Sequence, residues 1–232
     1  MRINKFLASH GLGSRRGVEE LVTSGRVLVN GEKMTNLGYD VKSQDVVVAD
    51  GCELKSEEKK EYYLVYKPVG YVSTTEDEHA EKIVTELVES DARLFPVGRL
   101  DKNSEGLVIL TNDGDFAQKL QHPSNDHEKE YIVEVRAPKE EADGYLDAAM
   151  RFLTCGIKIG GYRCRPAKAK VIKKEGKFAT FQIILKEGRK RQIRETMERA
   201  KLSVVSLKRI RIANYELGDL EVGESKAFQP VG

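Results

Sequence analysis

The sequence predicts an α+β protein with two domains, a small α/β domain at the N-terminus and a larger domain built on a mixed, mainly antiparallel sheet flanked by helices. Three observations favour this fold class. Apolar residues near the N-terminus recur at helical spacing. β-rich runs in the rest of the chain follow one another over short connections, which suit antiparallel neighbours. Residues 50–60 are polar and aperiodic, so we expect domains at 1–49 and 61–232 with a linker between them.

The first domain is expected to contain two short helices followed by strands. Apolar residues at helical spacing define the inward faces of these helices, namely Ile3, Phe6, Leu7, Val18, Leu21 and Val22. Ser14 is the expected N-cap of the second helix, and Gly25 is its expected end. Strand and hairpin signals fill the rest of this domain, at residues 27–29, the turn Asn30-Gly31, Val41 and residues 46–48.

The larger domain is expected to contain both strands and helices. β-branched and aromatic runs predict strands at 62–66, 107–111, 131–135, 169–172, 178–185 and 203–212. Helical periodicity predicts helices at 81–89, 115–121, 140–150 and 191–201. Several steps from one strand to the next are short, which favours a mixed or antiparallel sheet over a doubly wound parallel one.

Composition argues against several classes of protein. The chain has 232 residues, of which 40% are hydrophobic and 33% charged, and none of its apolar runs approaches the ~20 residues that span a bilayer. The first residues lack the apolar stretch of a secretory signal. Three dispersed cysteines and four dispersed histidines argue against a disulfide framework or a metal site. We therefore expect a cytoplasmic protein with reduced thiols, no bound metal and no membrane association.

The net charge of +2 conceals a strong asymmetry along the chain. Between Arg163 and Arg211 there are 17 lysines and arginines against 4 acidic residues, so this segment carries +13 and the remainder −11. A basic segment with so few acids is typical of a protein that binds a polyanion such as nucleic acid. The alternative is a solvated basic face without a ligand, although such faces usually carry interleaved acids.

Residues 98–106 form a glycine-bounded turn between two apolar runs, where a scaffold can present a reactive side chain. The turn carries Asp101 and has three explanations: a plain polar turn, a calcium loop, or a site for a nucleophilic carboxylate. The calcium loop is disfavoured because Asn112 occupies the twelfth position, where a bidentate Glu is usual. The residues alone leave the plain turn and the carboxylate site open.

Arg15 and Arg16 follow the expected N-cap of the second helix. Cations at a helix N-terminus oppose the helix dipole. They become favourable there when a phosphate binds to the free N–H groups and the guanidinium groups. The pair therefore predicts a phosphate contact, and the alternative is two surface arginines without a ligand.

The first fifty residues resemble the S-four-like RNA-binding module. The matching residues are Arg2, Lys5, Ser14-Arg15-Arg16, Gly25-Arg26-Val27 and Val29-Asn30-Gly31. The resemblance implies RNA contacts from six side chains, namely Arg2, Lys5, Ser14, Arg15, Arg16 and Arg26.

Four segments of the larger domain, taken in order, resemble the RsuA/RluB/RluE/RluF family of pseudouridine synthases, and the RluF type most. They are residues 67–70, 98–106, 129–131 and 187–194. This family joins an S-four-like α/β RNA-binding domain to a pseudouridine synthase catalytic domain and uses no cofactor. The resemblance therefore implies site-specific isomerisation of uridine to pseudouridine in ribosomal RNA. The expected substrate is 23S rRNA of the large subunit, free or in a precursor particle.

The resemblance also implies which residues form the site. Asp101 is the expected catalytic carboxylate, as nucleophile or as base, and Arg194 is expected to hold it through paired hydrogen bonds. Tyr131 is expected to stack on the flipped uracil. The other candidates are Arg99 in the gap left by the base, Leu185 as an apolar wall, Lys67 as a structural residue or phosphate contact, and Arg191 as an RNA contact.

Other substrates and one other function stay open. The RNA substrate could be 16S rRNA or a tRNA instead of 23S rRNA. The chain could also be a non-catalytic RNA-binding protein of ribosome assembly, in which the S-four-like domain and the basic segment do all the work. Such a protein has no need of Asp101 together with Tyr131 and Arg194. A monomer is expected in either case.

Overall fold

The computed structural model describes residues 1–54, 59–75 and 82–230. The α-helices of this part of the chain are α1 (Ile3–Ser9), α2 (Glu19–Thr23), α3 (Gly114–Gln121), α4 (Asp143–Cys155) and α5 (Gln192–Arg199). Its strands are β1 (Val27–Val29), β2 (Glu32–Lys33), β3 (Val47–Ala49), β4 (Cys52–Glu53), β5 (Tyr62–Lys67), β6 (Phe95–Val97), β7 (Glu105–Thr111), β8 (Lys129–Arg136), β9 (Lys158–Ile159), β10 (Tyr162–Arg163), β11 (Lys168–Glu175), β12 (Phe178–Leu185), β13 (Ser203–Ile212), β14 (Tyr215–Glu216) and β15 (Ser225–Ala227). None of the helices in these residues is long and apolar enough to cross a membrane.

The described chain forms two compact units. The first comprises Met1–Tyr62, Ser90–Leu94 and Thr111–Gly114, and the second comprises the other described residues. In the first unit, helices α1 and α2 and the four-stranded sheet β2-β1-β3-β4 share one apolar core. Its buried members are Ile3, Leu7, Val18, Val22, Val27, Val29, Val41, Val47 and Ala49, with Phe6 and Leu21 packed against them. The inward faces predicted for both helices are therefore confirmed.

The stretch 50–60, expected as a linker, contributes to the first sheet instead. Strand β4 pairs with β3 across a turn at Asp50-Gly51, and both turn residues have positive φ, 50° and 81°. Two consecutive positive φ angles are the signature of a type I′ hairpin, which Asp-Gly favours. The predicted Asn30-Gly31 hairpin has the same signature, with φ of 52° and 86°. Residues 55–58 of the expected linker lie outside the described residues.

The second helix is shorter than predicted. Ser14 Oγ accepts a hydrogen bond from Gly17 N at 2.9 Å, as an N-cap does, but the residues that follow form a turn and α2 begins only at Glu19. Arg15 and Arg16 therefore lie in that turn, and the helix-dipole argument for a phosphate does not apply to them. The isolated strand expected at Val41 is also wrong, because Val41 is a buried loop residue next to the Arg2–Asp40 bridge.

The second unit is built on a nine-stranded sheet of order β11-β12-β8-β13-β7-β5-β15, with β14 on β13 and β6 on β7. Strand β13 runs parallel to β7, whereas β8 is antiparallel to both β12 and β13. Helix α5 packs against β13, and α4 packs against β11 and α5. The predicted mixed, mainly antiparallel sheet flanked by helices is confirmed.

Most predicted elements of the larger domain are present, with shifted ends. Helix α4 begins later than the predicted 140 and runs to Cys155, where Gly156 at φ 75° ends it. The predicted helix at 81–89 is only a 3-10 turn at Val84–Leu87, and residue 81 lies outside the described residues. The helix predicted at 191–201 is shorter at both ends, because Arg191 has a left-handed φ of 54°. Strands β12 and β13 have the predicted bounds.

Candidate active site

A cleft of about 650 Å³ opens in the second unit, a volume within the usual range for small-molecule sites. Its walls come from the loop after β6, the strands β8 and β13, and the segment that joins β12 to α5. The cleft brings together six of the predicted site residues, which are Arg99, Asp101, Tyr131, Leu185, Arg191 and Arg194. Lys67 is not among the residues that line it.

The floor of the cleft is one face of the sheet. Tyr131 on β8 lies opposite Arg209 on β13, and Lys129 lies opposite Leu185 on β12. Side chains of directly opposed residues share a face, and so do residues two apart on one strand. These four side chains therefore point to the same side. Tyr131 and Leu185 are buried, 7% and 4% exposed, so they offer the cleft an aromatic and an aliphatic surface.

The loop that carries Asp101 is held by hydrogen bonds to its backbone from other segments. Buried Ser73 accepts from Leu100 N at 3.1 Å and donates to Leu100 O at 3.2 Å. Gly70 N donates to Lys102 O at 2.8 Å. Within the loop, Ser104 N donates to Asp101 O at 3.0 Å. These contacts fix the loop backbone and leave the Asp101 side chain half-buried at the cleft wall.

Arg194 reaches the same loop from the first turn of α5. Its Nη2 donates to Asn103 O at 2.6 Å and to Ser104 Oγ at 3.1 Å, and its buried Nε has no hydrogen-bond partner among the described residues. The expected paired hydrogen bonds to Asp101 are absent from the described contacts, because the guanidinium meets the far end of the loop. Burial lowers the pKa of Arg194 and nearby Arg191 lowers it further, while the Asp101 carboxylate acts in the opposite direction.

Arg209 is a cleft residue that the sequence-based prediction missed. Its side chain is only 2% exposed. Nε donates to Leu107 O at 2.8 Å, and Nη1 donates to Arg99 O at 3.3 Å. Its Nη2 is buried with no partner among the described residues. A possible signal was strand alternation, because Arg209 has the same parity in β13 as buried Leu207.

Gly106 allows the close approach of strands β7 and β13. It has φ 108° and lies opposite Arg209 in the parallel pairing. A Cβ at this position would lie 2.3 Å from Arg209 O, a distance that no side chain tolerates. The glycine at the end of the Asp101 loop therefore lets the loop and Arg209 pack together.

Lys67 is structural rather than a phosphate contact. Its side chain is 0% exposed, and Nζ donates to Pro68 O at 2.7 Å and to Tyr71 O at 2.9 Å. Burial, reinforced by the charge of Arg209, lowers the pKa of Lys67 to about 8, while Asp101 and Glu105 act to raise it. A phosphate in solvent has no access to this ammonium group, so of the two interpretations offered by the sequence only the structural one fits.

The basic segment is only partly available to a ligand. Five of its side chains are in ion pairs, which are Arg165 with Asp126, Lys168 with Glu128, Lys173 with Glu175, Lys174 with Asp143, and Arg211 with Glu128 and Glu130. Four others line the cleft, namely Lys186, Arg189, Lys190 and Arg191. The exposed positive charge is therefore concentrated around Asp101 and Tyr131.

The predicted RNA-binding residues of the first domain all belong to the first unit. Arg26 is paired with Asp50 through two hydrogen bonds of 2.6 Å. Arg2 donates to Gly38 O and lies 3.7 Å from Asp40. The others are exposed Ser14, Arg15 and Arg16, and half-buried Lys5.

A basic cleft with an aromatic floor and one carboxylate on a fixed loop defines an enzyme that acts on a nucleotide of RNA. The family model described as RNA pseudouridylate synthase matches residues 61–199, and the S4 domain model matches residues 1–47. The chain therefore belongs to the RNA pseudouridylate synthase family, and it carries an S4 domain at its N-terminus. Its activity is that of an RNA pseudouridine synthase.

Named relatives cover nearly the whole chain. It is 37% identical to "Ribosomal large subunit pseudouridine synthase B" of Bacillus subtilis, over 99% of this chain and 92% of the relative. It is 39% identical to "Dual-specificity RNA pseudouridine synthase RluF" of Escherichia coli K12, over 97% of this chain and 74% of the relative. A solved structure described as a pseudouridylate synthase shares the fold, with a TM-score of 0.67 at 24% identity over 99% of this chain and 96% of that one.

Proposed function

We propose that this protein converts a specific uridine of ribosomal RNA to pseudouridine, with Asp101 as the catalytic carboxylate. The Bacillus subtilis relative, whose name refers to the large ribosomal subunit, supports 23S rRNA as the substrate. The RluF relatives are named as having dual specificity, so a second RNA, 16S rRNA or a tRNA, is the alternative substrate. The protein acts as a monomer in the cytoplasm, where these RNAs are.

The reaction breaks the N-glycosidic bond, turns the uracil and rejoins it to the ribose through C5. It therefore expels the hydrogen of C5 as a proton. The uridine must first leave its stack, at a cost of a few kcal/mol, and stacking of the uracil on Tyr131 offsets part of that cost. Leu185 forms the apolar wall beside it. Asp101 then acts on the ribose or the base, as nucleophile or as base.

The surrounding arginines have different roles in this proposal. Arg194 holds the far end of the Asp101 loop through Asn103 O, and its charge stabilises the ionised carboxylate. Exposed Arg99, beside Asp101, enters the gap that the flipped base leaves in the RNA. Arg191 at the start of α5 binds a phosphate, as do other exposed cations of the cleft.

The N-terminal residues deliver the RNA to the cleft. We place an RNA-binding domain at 1–49 and a catalytic domain at 61–232. The match of the S4 domain to residues 1–47 supports the first, and the exposure of Arg15 and Arg16 leaves them free to meet a phosphate. A role in RNA binding alone, without catalysis, is the other candidate function. The carboxylate in the cleft beside Tyr131 is the observation that argues against it.

The test is the Asp101→Asn variant with ribosomal RNA that carries tritium at C5 of uridine. Because rejoining through C5 expels that hydrogen, tritium appears in water at the rate of the reaction. We expect a rate at least about a thousandfold lower, with RNA affinity and the unfolding midpoint largely retained. The matched control is Asp147→Asn, since Asp147 is an exposed aspartate of α4 outside the cleft. Wild-type rates in Asp101→Asn would show that another group performs the chemistry.

A further inference from the structure

An exposed aromatic side chain stands at the rim of the cleft. Tyr162 opens strand β10, which forms a short hairpin with β9 across Gly160-Gly161, both at positive φ. The side chain is 38% exposed and lines the cleft. The guanidinium carbon of Arg189 lies 3.6 Å from the centre of the Tyr162 ring. The two side chains together form a stacked pair of planar groups, which we call the Tyr162–Arg189 platform.

The platform is anchored through a single carboxylate. Tyr162 Oη donates to Glu187 Oε2 at 3.3 Å. The other oxygen of Glu187 accepts from Arg165 N at 2.9 Å and from Gln192 Nε2 at 2.7 Å. Gln192 is the first residue of α5, the helix that carries Arg194. The position of the platform is therefore coupled to the helix that holds the Asp101 loop.

Exposed cations surround the platform but cannot themselves recognise a base. Lys186, Lys190 and Arg191 line the same cleft and suit phosphates along an RNA strand. Aromatic rings and guanidinium planes are the groups on which unpaired bases stack. Flipping one uridine out of a folded RNA also breaks its stacking with its neighbours, so those neighbours need a new surface. Tyr131 serves the target base only.

We propose that the Tyr162–Arg189 platform is a second base-binding site, which stacks an unpaired base of the RNA close to the target uridine. The inference rests on the proposed function, since it takes RNA as the substrate. It adds a binding site outside the catalytic pocket whose ligand is a nucleobase, selected by stacking rather than by hydrogen bonds. It also makes the hairpin of β9 and β10 a determinant of substrate choice.

The experiment compares two single-stranded probes of equal charge, a nine-residue oligouridylate and a ribose-phosphate chain of the same length without bases. Tyr162→Ala should weaken binding of oligouridylate about 5- to 150-fold, the range expected for one stacked base. Its affinity for the chain without bases should change less than about twofold, because stacking neutralises no phosphate. Tyr162→Phe keeps the ring and should bind both probes like the wild type. Fluorescence anisotropy measures both affinities.

Two further variants make the result specific. Phe178→Ala is the matched control, because Phe178 is an aromatic residue of 37% exposure that does not line the cleft. It should leave both affinities unchanged. Arg189→Gln keeps the contact between Tyr162 and Glu187, and it should also weaken oligouridylate more than the chain without bases. This second variant decides the question if Tyr162→Ala does not fold.

An equal loss for both probes, or no loss for oligouridylate in either Tyr162→Ala or Arg189→Gln, would overturn the proposal. Tritium release by the wild-type protein from ribosomal RNA is measured alongside. A wild type that releases tritium but shows no base-selective effect at Tyr162 refutes the platform alone. A base-selective effect without any release of tritium refutes the proposed function and leaves the platform standing.

Discussion

Replacing Arg209 by methionine removes a buried guanidinium that ties β13 to the loop carrying Asp101. The donor to Leu107 O, at 2.8 Å, is lost at a residue that is 0% exposed. A buried carbonyl left without its donor costs about 1–3 kcal/mol. The bond to Arg99 O is longer, 3.3 Å, and adds less. Removing the unpartnered Nη2 and the charge near Lys67 offsets part of the loss, so we expect the free energy of unfolding to fall by about 2 kcal/mol.

The same substitution should also slow the reaction. The Arg99 carbonyl lies two residues before the Asp101 carboxylate, so losing its anchor loosens the group that must be aimed. A displacement on the order of 1 Å costs up to about a hundredfold in rate, and we expect a loss of about tenfold to a hundredfold at saturating RNA. Arg209→Lys keeps one charged donor and should lie between the methionine variant and the wild type.

Urea unfolding followed by circular dichroism gives the stability, and tritium release per folded molecule gives the rate. The matched control is Arg211→Met, whose arginine pairs instead with Glu130 at 2.8 Å and Glu128 at 3.2 Å. That variant should lose stability but keep its rate per folded molecule, because neither glutamate lines the cleft. The reasoning fails if Arg209→Met has the wild-type rate, or if both variants lose the same rate.

Two further predictions concern single charges. Lys67 has a folded-state pKa of about 8 against an ordinary 10.5, so the unfolded chain binds its proton more tightly and stability should rise between those pH values; Lys67→Met should remove up to about 3 kcal/mol of that rise. Urea unfolding at pH 8 and pH 10 checks this, and an identical rise in both proteins would contradict it. Replacing Arg15 and Arg16 together by glutamine should lower the salt dependence of RNA binding by about 0.7–0.9 per lost phosphate contact. Arg26→Gln should not, because Arg26 is paired with Asp50, and an unchanged slope in the double variant would exclude a phosphate contact there.

Long periodic elements were predictable from the residues alone. Strand β12 alternates between buried and half-buried positions for most of its length, so a period of two located it at 178–185. Two-residue strands such as β9 and β10 carry no period and were missed, although Gly160-Gly161 marked their turn. Helix α2 was predicted too long because the cap at Ser14 closes a turn rather than an α-helix. Local signals locate an element better than they locate its ends.

Chain order and residue chemistry by themselves determined the fold class, the basic segment, and the loop that presents Asp101. Motif resemblance brought Tyr131 and Arg194 to the same site. The contacts that hold this site were decided only by the tertiary structure. The donors to the loop come from Ser73, Arg194 and Arg209, which are distant in sequence, and a hydrogen bond depends on positions in space rather than on spacing along the chain. For the same reason only the folded chain could bring Arg189 onto the ring of Tyr162.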